Sequence, residues 1–269
     1  AVILINMKDI LHFSHANGFP AGSYSTLFSY LSDDFDIGVI DRLGHHADYP
    51  VTENWSYLLQ QLIDYFEHTY SQPVYAVGHS LGGVLSMMIA AQRPDLVKGL
   101  IMLDAPFLTA FEAHGLTLVK RLGLIDKVTP SGRTLGRKEE WDSIEHALHY
   151  FRSKRLFSAF DERCLNDYVT NGTQAHDNGG RRLHFKADTE ISIYRTMPNN
   201  LHHTKRLNMP SAVIAGKYSD VFKRHHGFKM KRQLGMDVSW VEGSHMFPFE
   251  KPEMTANLIK KYISSWQEQ

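Results

Sequence analysis

The sequence carries one cysteine, Cys164, in 269 residues, so no intrachain disulfide is available. That usage fits a reducing compartment and points to a cytoplasmic protein. Charge of either sign is not in excess: 29 Lys and Arg balance 29 Asp and Glu. A nucleic-acid backbone or an anionic membrane is therefore not an expected partner. The small basic group Lys229, Lys231 and Arg232 reads as a solvated helix face. Long apolar runs are missing too. The stretch Ala1 to Ile5 stops at Asn6 and Lys8, too short for a membrane span or a secretory signal, and reads as a strand. No integral membrane association is expected. There is no Gly-x-Gly-x-x-Gly fingerprint and no phosphate loop ending in Lys-Ser or Lys-Thr, so no organic cofactor is implied. Internal repeats and low-complexity tracts are also lacking.

Histidine is plentiful, with 16 residues. Most pairs are adjacent (His45-His46, His202-His203, His225-His226), and neighbouring side chains seldom point the same way. His146 and His149 can share a helix face but lack a clear third ligand. No metal site is expected.

What is present is a soluble, globular composition, 43% hydrophobic and 22% charged, long enough for one substantial core with an elaboration. Short apolar runs alternate with amphipathic segments. Ile10–Phe13, Ile37–Ile40, Val74–Val77 and Leu100–Leu103 have the near-continuous apolar character of strands covered on both faces. Between them, Trp55, Leu58, Leu59, Leu62, Ile63 and Phe66 recur at helical spacing. Val84, Met87, Met88 and Ala91 do the same, and Pro94 ends that helix. This is the rhythm of a mainly parallel sheet flanked by helices, an α/β fold.

The rhythm breaks after Pro106. Residues 107–209 read as a mostly helical insertion, with helices over Glu139–Phe151 and Leu156–Tyr168. Asn171–Arg182 reads as a loop, and Leu183–Phe185 as a short extended segment. Alternation resumes with a strand at Ser211–Ala215, a helix within Val221–Leu234, a strand at Val238–Val241 and a closing amphipathic helix through Met254 and Trp266. Pro252 suits the first turn of that helix. The expected division is a core of 1–106 and 210–269 with a helical cap of 107–209.

The strongest local signal is Gly78-His79-Ser80-Leu81-Gly82, followed by Gly83. A strand leads in and a helix leads out, which is the setting of a nucleophile elbow. The sharp turn exposes the serine hydroxyl and leaves no room for side chains at the flanking glycines. The plainer reading is a glycine-rich turn in which Ser80 caps the helix. His79 is read as packing or hydrogen bonding, its side chain directed away from that of Ser80.

Four motifs in order resemble the α/β-hydrolase superfamily, in its branch of capped esterases, lipases and related small-molecule hydrolases. They are Ser14-His15-Ala16-Asn17-Gly18-Phe19-Pro20, Asp41-Arg42-Leu43-Gly44-His45, the elbow at Ser80, and Ser244-His245 after the last strand. The resemblance implies an α/β-hydrolase fold and a triad in the order nucleophile, acid, histidine. Ser80, Asp220 and His245 satisfy that order, with Asp220 and His245 each in a loop after a strand. Asp104, at the end of Leu100–Leu103, is the alternative acid, and Glu242 a weaker third. The resemblance also implies an oxyanion hole of two backbone N–H groups, from Leu81 and from Phe19, with Asn17 the alternative to Phe19. Phe107, Leu108, Phe111, Phe151, Phe157, Phe160 and Phe247 are candidate pocket residues under the cap, although an aromatic stripe is more often ordinary core.

The expected activity is hydrolysis of a small-molecule carboxylic ester or related acyl compound through an acyl-enzyme. The same triad also suits a carbon–carbon bond hydrolase or an acyltransferase. A non-catalytic ligand-binding protein on a hydrolase scaffold is the alternative from a different class.

Overall fold

The computed structural model describes residues 8–177 and 179–268. The expected opening strand within Ala1 to Ile5 lies outside them. Nine strands are present among the described residues: β1 (Asp9–Ser14), β2 (Phe35–Val39), β3 (Val74–His79), β4 (Val97–Leu103), β5 (Glu140–Trp141), β6 (Thr173–Ala175), β7 (Arg181–Leu183), β8 (Ser211–Gly216) and β9 (Asp237–Val241). The helices are α1 (Ser25–Ser29), α2 (Ser56–Thr69), α3 (Leu81–Gln92), α4 (Ala110–Arg121), α5 (Ile125–Val128), α6 (Ser131–Thr134), α7 (Ile144–Arg152), α8 (Glu162–Gly172), α9 (Ala187–Arg195), α10 (Arg224–Lys229), α11 (Phe247–Glu250) and α12 (Pro252–Gln267).

Six strands form one sheet in the order β2-β1-β3-β4-β8-β9, every pairing parallel. Period-two alternation divides each inner strand between two apolar layers. Tyr75 and Val77 of β3 and Ile101 and Leu103 of β4 join a layer with Phe13, Tyr24, Ile259 and Ile263. Val74, Ala76, Leu100 and Met102 join the opposite layer with Leu62, Phe66, Leu85 and Ile89. Burial on both faces is why these strands read as unbroken apolar runs rather than alternating ones.

Helices α4 to α9 and strands β5 to β7 lie between β4 and β8 in the chain, a mostly helical insertion into the sheet topology. It is tied into the core: Trp141, Phe151, Phe157, Leu165 and Tyr168 share the apolar layer of Phe13 and Phe19. Three of its helices start on side-chain caps. Thr109 and Glu112 form a reciprocal capping box at α4, Ser143 caps α7 and Asp161 caps α8.

Two expectations are corrected here. The helix read over Glu139–Phe151 begins only at Ile144, because Glu140 and Trp141 pair with Arg182 and Arg181. The loop read over Asn171–Arg182 holds β6 and the start of β7, the other strands of that small antiparallel sheet. Long-range strand pairing overrides local propensity at both places. No helix among the described residues is long and apolar enough to cross a membrane.

Candidate active site

Ser80 sits where β3 turns into α3, with φ 53 and ψ −115. A β-carbon substituent pays for such left-handed backbone, so a serine there marks a strained position held by its surroundings. What holds it is close backbone approach. A β-carbon on Gly82 would lie 1.9 Å from the Ser14 carbonyl oxygen, and one on Gly78 would lie 2.2 Å from the Gly82 carbonyl oxygen. Gly82 thus lets the end of β1, and the loop after it, press against the first turn of α3.

His245 follows β9, and its ring reaches both neighbours. Nε2 lies 3.1 Å from Ser80 Oγ and Nδ1 lies 2.6 Å from Asp104 Oδ2. A carboxylate only accepts, so the ring proton is on Nδ1, and Nε2 is left to accept from the serine hydroxyl. Asp104 is 0% exposed, while the His245 side chain is 18% exposed. The Asp104 carboxylate also accepts from the Gly216 N–H at 2.7 Å and from the Ser219 hydroxyl at 2.5 Å. These bonds fix its orientation and compensate its burial.

The carboxylate on His245 is therefore that of Asp104, and the preference for Asp220 is corrected. Asp220 is exposed and follows Ser219, the residue whose hydroxyl holds Asp104. The reason lies in how the loops cross. A β-carbon on Gly216 would lie 2.4 Å from the Ser244 carbonyl oxygen, so the loop after β9 passes directly over the end of β8. That passage carries His245 beyond the β8 loop to the end of β4. Asp104 has φ 45, a second strained non-glycine residue at the site. Glu242 pairs instead with Lys217 and with the Tyr218 hydroxyl. The His245 loop is braced from below by Glu250, which accepts from the Ser244 N–H at 3.0 Å and bonds the Ser244 hydroxyl.

The loop after β1 turns at Gly18, with φ 82, and the Phe19 N–H donates to the Ala16 carbonyl at 3.1 Å. The preferred second oxyanion donor is thus engaged within its own turn. The Asn17 side chain donates to the Glu190 carbonyl at 3.0 Å. Leu81 opens α3, where an N–H has no intrahelical acceptor. His15, buried beneath, donates from Nδ1 to the Ala16 carbonyl at 2.8 Å and accepts at Nε2 from the Leu43 N–H at 2.8 Å. Burial pushes its pKa down to about 4, so it braces the two loops as a neutral ring.

The candidate pocket residues divide. Phe157 and Phe160 lie beside Phe19, with centroids 6.1 and 6.5 Å away, and Phe160 stacks on Phe249 at 4.8 Å. Phe151 packs on Phe157 and Tyr168 in the same cluster, and Phe247 is fully buried in that layer. Phe107 is buried in the opposite layer, and Leu108 is half-buried. Phe111 is corrected: it is 88% exposed on α4 rather than enclosed in a pocket.

Sequence reasoning missed Tyr24, Ser219, Glu250 and Glu190. Glu190 is buried against Gly18, bonded by Arg137 and by the Thr134 hydroxyl. None of them carries a local motif. Each is recognisable only once distant loops meet.

The expectation that adjacent histidines diverge fails at His225 and His226. Both Nε2 atoms face Glu112 Oε1, at 2.8 and 3.0 Å. His226 Nδ1 accepts from the Lys223 N–H at 3.0 Å, which leaves its proton on Nε2, donated to Glu112. Burial pushes the Glu112 carboxyl up, but the Thr109 N–H and hydroxyl and the two imidazoles outweigh it and hold it at about 2. The cluster is a hydrogen-bonded clasp between the start of α4 and α10.

Comparison with known proteins agrees with this architecture. The mouse (Mus musculus) monoglyceride lipase is 28% identical over 138 residues, a match spanning 48% of this chain and 45% of that protein. The uncharacterized hydrolase YugF of Bacillus subtilis (strain 168) is 24% identical over 252 residues, 90% of this chain and 85% of that protein. The crystal structure of E-2-(acetamidomethylene)succinate hydrolase superposes with a TM-score of 0.77 at 22% identity, covering 96% of this chain and 91% of that one. A model of the alpha/beta hydrolase family matches residues 13–258. With that match across nearly its whole length, the chain belongs to the alpha/beta hydrolase family.

Proposed function

We propose that this protein is a serine hydrolase that cleaves a small-molecule carboxylic ester or related acyl compound through an acyl-enzyme. The single observation carrying this reading is the connected chain Ser80 Oγ, His245 Nε2, His245 Nδ1 and Asp104 Oδ2, with contacts of 3.1 and 2.6 Å. In it, Ser80 attacks the acyl carbon as its proton passes to His245 Nε2. His245 then returns that proton to the leaving group, and the acyl group stays on Ser80 Oγ. Water, deprotonated by the same imidazole, releases the acid and restores the serine. Asp104 holds the ring's orientation and tautomer and offsets its transient positive charge.

The Leu81 N–H is the first oxyanion donor of this reading. The loop after β1 supplies the second. The Phe19 N–H fills that role once its bond to the Ala16 carbonyl is exchanged for the developing oxyanion, and Asn17 is the alternative on the same turn. Residues 107–209 act as the cap that excludes water and limits what reaches Ser80. The similarity to a monoglyceride lipase and to hydrolases supports a small acyl substrate.

The test is a panel of esters varied in acyl chain and leaving group, run on the wild type and on Ser80→Ala. Turnover in the wild type that falls at least about 10³-fold in the variant supports the reading. Equal turnover in both proteins, or none in either across the panel, removes it.

A further inference from the structure

Beneath Ser80 and His245 lies a chain of polar groups that the reaction above does not use. The Ala16 N–H donates to the Tyr24 hydroxyl oxygen at 3.1 Å. The Tyr24 hydroxyl lies 2.8 Å from His79 Nδ1, and His79 Nε2 lies 2.9 Å from the carbonyl oxygen of His245. Tyr24 and His79 are both fully buried. The direction of every bond is determined. An amide N–H only donates and a carbonyl only accepts. His79 therefore carries its proton on Nε2, and its bare Nδ1 accepts from the Tyr24 hydroxyl. Only a neutral imidazole completes the chain, and burial pushes the pKa of His79 down to about 3, in keeping with that.

The two ends of this chain matter. Ala16 is the hub of the loop after β1, its carbonyl accepting from both His15 Nδ1 and the Phe19 N–H. The other end is the backbone of the residue whose ring meets Ser80. We propose that Tyr24 and His79 are positioning residues: they tie the backbone of the oxyanion loop to the backbone of His245, fixing both sides of the reaction centre relative to Ser80. This rests on the reading of Ser80 and His245 as nucleophile and base. The ring contacts alone, Tyr24 and His79 each against Phe249, would require only shape. The polar chain specifies a hydroxyl at one position and an acceptor with an opposed donor at the other.

The experiment compares full-length wild type, Tyr24→Phe, His79→Gln and His79→Phe. Two readouts are taken: the rate of Ser80 phosphonylation by a fluorophosphonate probe, and kcat and KM on an ester that the wild type turns over. In the first, the Ser80 Oγ–phosphorus bond forms, fluoride leaves and the serine proton passes to His245. Because displacement of reacting groups by about 1 Å costs on the order of 10²-fold, Tyr24→Phe is expected to label about tenfold more slowly or worse. The loss falls on kcat, with KM within about twofold. His79→Gln, whose amide offers one acceptor and one donor, retains more rate than His79→Phe. A Tyr24→Phe rate within about twofold of wild type overturns the proposal, as does a loss confined to KM, or equal rates for the two His79 variants. If thermal unfolding shows Tyr24→Phe unfolded, the two His79 variants decide. A wild type that does not label at all overturns the nucleophile assignment itself, a separate and recognisable outcome.

Discussion

Replacing Asp104 by Asn preserves size and removes one charge. The buried carboxylate accepts from the Gly216 N–H, the Ser219 hydroxyl and His245 Nδ1, at 2.7, 2.5 and 2.6 Å. An amide has one accepting end. If its oxygen faces Gly216, its NH2 faces His245 and Nδ1 must accept; the ring proton moves to Nε2, where it cannot receive the Ser80 proton. If the amide turns over, its NH2 opposes the Gly216 N–H, and a buried donor loses its partner at about 1–3 kcal/mol. The first arrangement is favoured, and loss of the working tautomer costs about 10⁴-fold in kcat, on the order of 5.5 kcal/mol of transition-state stabilisation. The expected outcome for Asp104→Asn is a fall of 10³- to 10⁴-fold, roughly, in kcat with KM nearly constant, measured by steady-state ester hydrolysis. Asp220→Asn, altering an exposed side chain, stays within about twofold of wild type. An Asp104→Asn enzyme within about tenfold of wild type, or an equally large loss in Asp220→Asn, refutes the reasoning.

Further outcomes concern stability. Arg137→Met strands the buried Glu190 carboxylate beside Gly18 and should cost about 3 kcal/mol in urea unfolding; adding Glu190→Gln should restore most of it. Full cost in the double variant would contradict the pairing. Phe111→Ser, on an exposed helix position, should change stability by less than about 0.5 kcal/mol, whereas Phe249→Ala in the aromatic cluster should cost about 3–5 kcal/mol. His12, His15 and His79 are pushed by burial to about 3, 4 and 3. The unfolded chain protonates them near 6.5 and the folded chain does not, so stability is full above that pH and is lost as pH falls. Each contributes up to about 1.4 kcal/mol per pH unit between about pH 4 and 6.5, so the three together give a slope near 4. A urea midpoint that stays level from pH 7.5 to 5 would count against their burial as neutral rings.

The sheet was legible because strands buried on both faces announce themselves as apolar runs, and the elbow because glycine is required where Gly82 meets the Ser14 carbonyl. The place of His245, in a loop after the last strand, was legible. The carboxylate that meets its ring was not. Asp104 and Asp220 both end or follow a strand, and what separates them is the crossing of the Ser244 backbone over Gly216, a long-range approach with no local pattern. The outward face of α4 was equally hidden: nothing in the periodicity around Phe111 says that the core lies on its other side. Within the cap, the helix start at Glu139 yielded to pairing with a strand some forty residues later.

The central claim is that the hydroxyl of Ser80 becomes covalently bonded during turnover. Peptide mass mapping after fluorophosphonate treatment tests it most directly. The account predicts one phosphonyl adduct, on the peptide containing Ser80, absent from Ser80→Ala and strongly slowed in His245→Ala. An enzyme that hydrolyses esters while Ser80 stays unmodified, or an adduct on a different residue, would contradict it.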